Sequence, residues 1–290
     1  TCGKARTELA MGHPSFSIIV PTYQRRDVVC DAVRALCKVE YRGPIELIVV
    51  VDGSTDATAE ALGRLKCPFP VRIIEQDNRG AAGARNRGAA EATGNILLFL
   101  DDDMICEPDL IEQHACMYRE GADAVIGATP HHPGSAPGFL SDSIARWIAS
   151  EQVRSPLSPF DVFSGQLSVR ASVFRQVGGF DEAFTTGAAF SNEDADLGVR
   201  LLSAFKVRHN PAAISRQRYV VGPREYMARA PKAVEGDLQV AADDGELLEI
   251  LLAEQGDVRL GGDQQLGDHR RDAVEMAGPV LALPSLADPG

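Results

Sequence analysis

No run of apolar residues in this chain approaches the ~20 that a membrane-spanning helix needs. A transmembrane protein is therefore not expected, and any membrane contact would be peripheral. Basic residues are scarce too: 29 Lys and Arg stand against 41 Asp and Glu, a net charge of −12. There is no basic footprint for nucleic acid. Cysteines number six and stop at Cys116, with no CxxC and no zinc-site rhythm. Reduced thiols in a cytoplasmic protein are the expectation. No secretory leader pattern is visible at the start, and no convincing Ser/His/Asp or Cys/His set for nucleophilic catalysis is present.

What remains is an ordinary globular composition, 44% apolar, with its charge unevenly placed. Residues 232–290 carry 13 acids and 4 bases, whereas residues 1–231 carry 28 acids and 25 bases. The body is close to neutral and the tail is acidic. Gly, Asp, Gln and Pro accumulate in that tail, which reads as partly ordered with one helix over Glu246–Glu254. The chain divides on this reading into an N-terminal extension (1–13), a first half (14–129), a second half (130–231) and the tail (232–290).

Short apolar runs alternate with helical patterns through the first half. Phe16–Val20, Ile45–Val51, Val71–Glu75, Ile96–Leu100 and Asp123–Ala128 read as strands. Asp27–Lys38, a segment capped by Asp56 and running through Leu65, Gly80–Ala92, and Pro108–Arg119 read as helices. The alternation predicts an α/β protein with a mostly parallel sheet flanked by helices. After residue 129 the pattern changes. A loop over His131–Gly138, a helix around Trp147, a strand over Val162–Val169, helices over Ala171–Val177 and Asn192–Ser203, and a strand over Ala212–Val221 are expected.

The most apolar strand, Ile96–Leu100, runs into Asp101-Asp102-Asp103. Ligands in open α/β sheets gather where strands end. Carboxylates this close repel one another unless something positive compensates them. Three Asp alone also suit a solvated turn or an N-cap cluster. Asp101 and Asp103, one residue apart, can reach a single Mg²⁺ or Mn²⁺, which in turn can bridge to a diphosphate. Asp52-Gly53-Ser54-Thr55-Asp56, at the end of another strand, suits a turn, and Asp52 also suits a base or ribose contact. Asn78–Gly88 is glycine-rich but matches neither the P-loop nor the dinucleotide fingerprint. Its Arg85 is equally a solvated arginine or a fixed positive charge for phosphates. Asn192-Glu193-Asp194-Ala195-Asp196-Leu197 is either helix capping or the seat of a general base. Asp194 and Asp196 point about 200° apart on a helix, so they should not share a role.

These pieces, in this order, resemble the family 2 glycosyltransferases of the GT-A fold. The resemblance runs through Ser17–Tyr23, Val49–Asp56, Ala84–Gly88, Phe99–Asp103, Val177–Glu182 and Asn192–Leu197. It implies a Rossmann-like mostly parallel sheet with an acceptor-side subregion over residues 130–231. It also implies a nucleotide-diphosphate sugar donor, and a glycan, lipid-linked or small-molecule acceptor. Pro21, Thr22, Tyr23 and Asp52 would hold the nucleoside and Arg85 the nucleotide. Asp101 and Asp103 would bind Mg²⁺ or Mn²⁺, with Asp102 nearer the donor sugar. Asp194 would be the catalytic base of a one-step inverting transfer.

The sequence departs from the family in three places. Paired acids at the nucleoside site are reduced to Val51-Asp52. The His that many relatives carry after the last strand is missing from Pro211–Arg218. The Gln-x-x-Arg-Trp motif of processive enzymes is absent, which favours single additions. Alternatives are a sugar-nucleotide nucleotidyltransferase and a degenerate sugar-nucleotide-binding homologue.

Overall fold

Residues 12–135, 156–184 and 193–218 are described by the computed structural model. The chain divides into two compact units, Thr1–Gly236 and Asp237–Gly290, and every described residue lies in the first. The acidic tail, the helix around Trp147 and most of the N-terminal extension lie outside the described residues.

The apolar runs form strands β1 (Phe16–Thr22), β2 (Ile45–Asp52), β3 (Val71–Gln76) and β4 (Ile96–Leu100). Helices α1 (Arg26–Leu36), α2 (Thr58–Gly63) and α3 (Gly80–Glu91) connect them. Then follow β5 (Met104–Cys106), α4 (Leu110–Arg119), β6 (Ala124–Ala128), β7 (Gln166–Arg170), α5 (Ala171–Gln176), α6 (Glu193–Leu202) and β8 (Val207–Gln217). The sheet order is β3-β2-β1-β4-β7-β6-β8-β5. β3, β2, β1 and β4 are parallel, as are β6 and β8, while β7 and β5 run antiparallel to their neighbours.

Alternate residues of the central strands feed opposite cores, as the period of two requires. Ile18, Val20, Val49 and Leu98 pack with Val29, Val33, Leu36 and Leu110 of α1 and α4. Ile19, Leu97, Phe99 and Leu167 pack on the other face with Phe174, Phe180, Leu197 and Leu201. Helices cover both faces, so these strands are apolar throughout. The chain builds outward from β1 to β3, then returns to place β4 on β1's other side. The carboxyl ends of β1 and β4 therefore flank a topological switch point, where open α/β sheets form ligand crevices.

Helix α3 sits close on the sheet because Gly88 faces it without a side chain. A Cβ there would lie 2.5 Å from Ile19 Cγ2. Gly88→Ala is expected to destabilise the fold by about 1–3 kcal/mol through overpacking, despite alanine's better helix propensity. Urea unfolding measures this, and a neutral or stabilised variant would contradict the close packing.

Several local expectations differ from the structure. The segment Val162–Val169 turns before the strand, which starts only at Gln166, after a 3₁₀ turn over Pro159–Asp161. β8 begins at Val207 and passes through Pro211; a register shift beside Gly127 and Ala128 accommodates the ring. Residues 104–106 are too few to show periodicity, yet β8 pairs with them. Ala57, left-handed at φ 59°, is the N-cap of α2, and Asp56 precedes it. Pro108 likewise precedes the cap of α4 at Asp109. Finally, Cys37 and Cys67 form a disulfide across a Cα–Cα distance of 4.8 Å, contrary to the reduced-thiol expectation. Their segments lie 30 residues apart and meet only because α1 and α2 pack together.

Candidate active site

The acidic tripeptide follows β4 and is held by backbone bonds to the residues that flank β7 and β8. Asp101 N donates to Gly165 O (3.2 Å), and Arg218 N donates to Asp103 O (2.9 Å). Asp102 and Asp103 are buried, at 5% and 4% exposure. Burial raises the Asp102 carboxyl to about 7, with Arg25 pulling it back and Asp103 pushing it further. Burial and then Asp101 raise the Asp103 carboxyl, against Arg25.

Two arginines from distant segments compensate these acids. Arg25, just past β1, reaches Asp102 Oδ1 at 2.6 Å and Asp103 Oδ2 at 3.1 Å. Arg85, one turn into α3, is buried and donates to Asp101 Oδ1 (2.8 Å) and Glu193 Oε1 (2.7 Å). Its guanidinium also lies over the Phe180 ring, 5.5 Å from the centroid. Burial disfavours its charge, but Asp101, Glu193 and Asp194 outweigh that, and its pKa is raised. Arg85 thus joins the end of β4 to the start of α6.

Asp194 stands in the first turn of α6, beside Glu193. Its Oδ2 accepts from Ser164 N at 3.2 Å, while Oδ1 is buried with no hydrogen-bond partner among the described residues. Burial, then Glu193, raises this carboxyl to about 7; Arg85 and Ser164 act in the opposite direction. A carboxylate so placed is poised to take a proton near neutral pH. Asp196 points elsewhere and pairs with Arg200, in keeping with the 200° separation.

At the end of β1, Thr22 donates to Asp102 Oδ2 (2.8 Å), so that strand end is tied to the acid cluster. Tyr23 is half exposed, and Pro21 is partly buried. The Asp52 carboxylate is buried and accepts from Gln76 Nε2 (2.7 Å), Arg79 N (2.9 Å) and Gly80 N (2.9 Å). It holds the start of α3, whose N-cap Arg79 has no capping side chain of its own.

The structure brings Thr22, Asp101, Asp102, Asp103, Arg85 and Asp194 into one connected set. Sequence reasoning overlooked Arg25, Glu193 and Ser164. Arg25 lies three residues past Thr22, a strand end already singled out, and that proximity was the available signal. Glu193 looked like one more helix-capping acid, and nothing local distinguishes Ser164.

Among the described residues, no group of three or more His, Cys, Asp or Glu is set to hold a metal ion. The donors that are present nevertheless fit a hard cation. Asp101 and Asp103 offer carboxylate oxygens, and among the described residues the buried Asp103 Oδ1 has no hydrogen-bond partner. Mg²⁺ is commonly held by one or two carboxylates, with substrate phosphates and water completing its shell.

The sequence model described as Glycosyl transferase family 2 matches residues 17–178, more than half of the chain. The chain belongs to glycosyl transferase family 2. It is 29% identical over 185 residues to a glucosyl-dolichyl phosphate glucuronosyltransferase of Haloferax volcanii, covering 57% of this chain and 55% of that protein. With a validoxylamine A glucosyltransferase of Streptomyces hygroscopicus subsp. limoneus it shares 27% over 247 residues, covering 73% and 52%. The chain thus spans about half the length of these curated relatives. Among solved structures, it is similar to a Pyrobaculum calidifontis mannosyltransferase in complex with GDP-Man and Mn²⁺. The TM-score is 0.62 at 18% identity, covering 95% of this chain and 82% of that one. S. aureus TarS 1–349 in complex with UDP-GlcNAc also gives a TM-score of 0.62 at 18% identity, with 91% of this chain and 71% of that one covered. These two likenesses establish the GT-A fold for this chain.

Proposed function

We propose that this glycosyltransferase moves a sugar from a nucleotide-diphosphate donor to an acceptor hydroxyl, inverting the anomeric configuration in one metal-assisted step. The observation that carries this reading is the Asp194 carboxylate, raised to about 7 with an unpartnered buried oxygen, joined through Glu193 and Arg85 to Asp101. Asp194 takes the acceptor proton as the hydroxyl attacks the anomeric carbon, and the nucleoside diphosphate leaves from the opposite face. Direct displacement asks for one base and no enzyme nucleophile. Asp101 and Asp103 would hold Mg²⁺ or Mn²⁺, which, when bound, offsets the charge developing on the leaving diphosphate. Pro21, Thr22 and Tyr23 form the nucleoside edge, with Asp52 fixing the adjoining start of α3. Asp102, tied to Thr22, lies between the nucleoside edge and the donor sugar. Glycan, lipid-linked and small-molecule acceptors all present the required hydroxyl. The similar solved structures, one in complex with GDP-Man and Mn²⁺ and one with UDP-GlcNAc, support a nucleotide-sugar donor.

The test is a thermal-shift screen of nucleotide sugars with and without Mn²⁺. A bound donor should raise the midpoint by mass action, and only when metal is present. Asp103→Asn should weaken metal-dependent donor binding by about ten- to a hundredfold, on the scale seen when metal affinity is disturbed. Donor binding that is equally tight in chelator would remove the metal from the reading. Unchanged metal dependence in the variant would remove Asp103.

A further inference from the structure

The fork that Arg25 makes across Asp102 and Asp103 has a bearing on how a cation reaches this site. We infer that Arg25 is a displaceable internal counter-ion: it occupies the acid cluster before the divalent cation arrives and competes with that cation for Asp103. The inference rests on the reading that Asp101 and Asp103 hold the metal.

Three observations support it. First, Arg25 is aimed at the acids by its backbone. Gln24 adopts the left-handed region at φ 53°, uncommon for a residue with a side chain. That turn is pinned to the loop after β2, where Gln24 N donates to Ser54 Oγ (2.9 Å) and Gln24 Nε2 to Thr55 Oγ1 (3.0 Å). A strained turn held in this way points to a fixed purpose for the residue it presents. Second, Arg25 takes only one oxygen of Asp103. Oδ2 accepts from it at 3.1 Å, while Oδ1 is buried with no hydrogen-bond partner among the described residues. A hard cation entering at Oδ1 would share one carboxylate with a guanidinium, and like charges at that range repel. Third, the two arginines of the site differ in how firmly they are held. The Arg85 side chain is 6% exposed, and its acid partners belong to two different elements, whereas the Arg25 side chain is 26% exposed at the edge of the crevice. Among the described residues its side-chain bonds go to Asp102 and Asp103 alone. Its guanidinium can leave without disturbing the core.

The test measures Mn²⁺ alone, with no donor, on the full chain, by the loss of the free-ion electron paramagnetic resonance signal. Arg25→Gln keeps the length of the side chain and removes its charge. It is expected to tighten Mn²⁺ binding at least tenfold, about 1.4 kcal/mol. Arg26→Gln is the control for general charge; Arg26 is exposed and pairs with Asp27. It should leave the Mn²⁺ affinity within about twofold, because screened surface charges contribute little. An Arg25→Gln affinity that is unchanged or weaker, or absent binding in that variant, overturns the inference. Wild-type protein gives an independent reading should the variant fold poorly. Mg²⁺ addition should release the hindered guanidinium rotation of one arginine in ¹⁵N NMR, and a spectrum unmoved by saturating Mg²⁺ counts against displacement. The two readings fail separately. Metal-dependent donor binding with no Arg25 effect removes only this inference, whereas no donor-induced thermal shift in any chain removes the proposed function.

Discussion

Asp194→Asn is expected to lower turnover by about 10³-fold or more while leaving donor affinity within about twofold. A positioned general base supplies about 10²- to 10⁴-fold. Asparagine keeps the shape and can still accept from Ser164 N, so donor-side geometry should survive. The change also removes a charge from a buried position beside Glu193. Its effect on stability has a definite sign. The folded pKa of Asp194, about 7, lies above the unfolded value near 3.9. The folded state therefore binds more protons between those values, and this group's contribution to stability falls as pH rises from about 4 to 7. The variant should consequently melt at the same or a higher temperature than wild type at neutral pH. In the wild type, turnover should fall as pH drops below about 7, because the base becomes protonated. Wild-type turnover in the Asn variant, measured with saturating donor, would show that the base is elsewhere.

Arg85→Met should destabilise the fold by about 3–5 kcal/mol, the range for removing one partner from a buried ion pair. Arg85 neutralises Asp101 and Glu193 together, and Asp194 contributes to the same field. Without the guanidinium, Glu193 would remain as a buried acid beside Asp194 with its cation gone. Two comparisons separate this electrostatic role from simple loss of packing. Glu193→Gln in the Arg85→Met background should recover part of the loss, with a coupling of about 1–3 kcal/mol in a double-mutant cycle. Arg85→Lys should fall between wild type and Met, since an ammonium cannot fork to both acids as a guanidinium does. Urea denaturation of five chains (wild type, Arg85→Met, Glu193→Gln, the double variant and Arg85→Lys) measures both effects. A Met variant within about 0.5 kcal/mol of wild type would mean that the acids are compensated in another way.

Much of the first half of the chain was legible because its signals are local. An apolar run bounded by Pro21, Asp52 or Asp101 is a buried strand wherever it packs, and the alternation with helices implies a parallel sheet. The ordered motifs likewise pointed to the family, which the match over residues 17–178 bears out. Signals failed where the local chain was ambiguous. Met104–Cys106 is a strand only because β8 lies beside it, and the apolar Val162 and Phe163 lead into a turn at Ser164 and Gly165 before the strand begins. A disulfide between Cys37 and Cys67 could not be read from spacing, since it depends on how α1 meets the segment after α2.

By itself, the sequence determined the alternating strands and helices, the placing of three carboxylates at the end of a buried strand, and the family. Those properties arise from periodicity and from short contiguous motifs. Only the tertiary structure decided which cation answers which acid. Arg25 meets Asp102 across 77 positions, Arg85 meets Glu193 across 108, and Asp52 caps a helix that begins 28 residues later. Charge compensation in a buried site falls off steeply with distance in space and takes no account of distance along the chain.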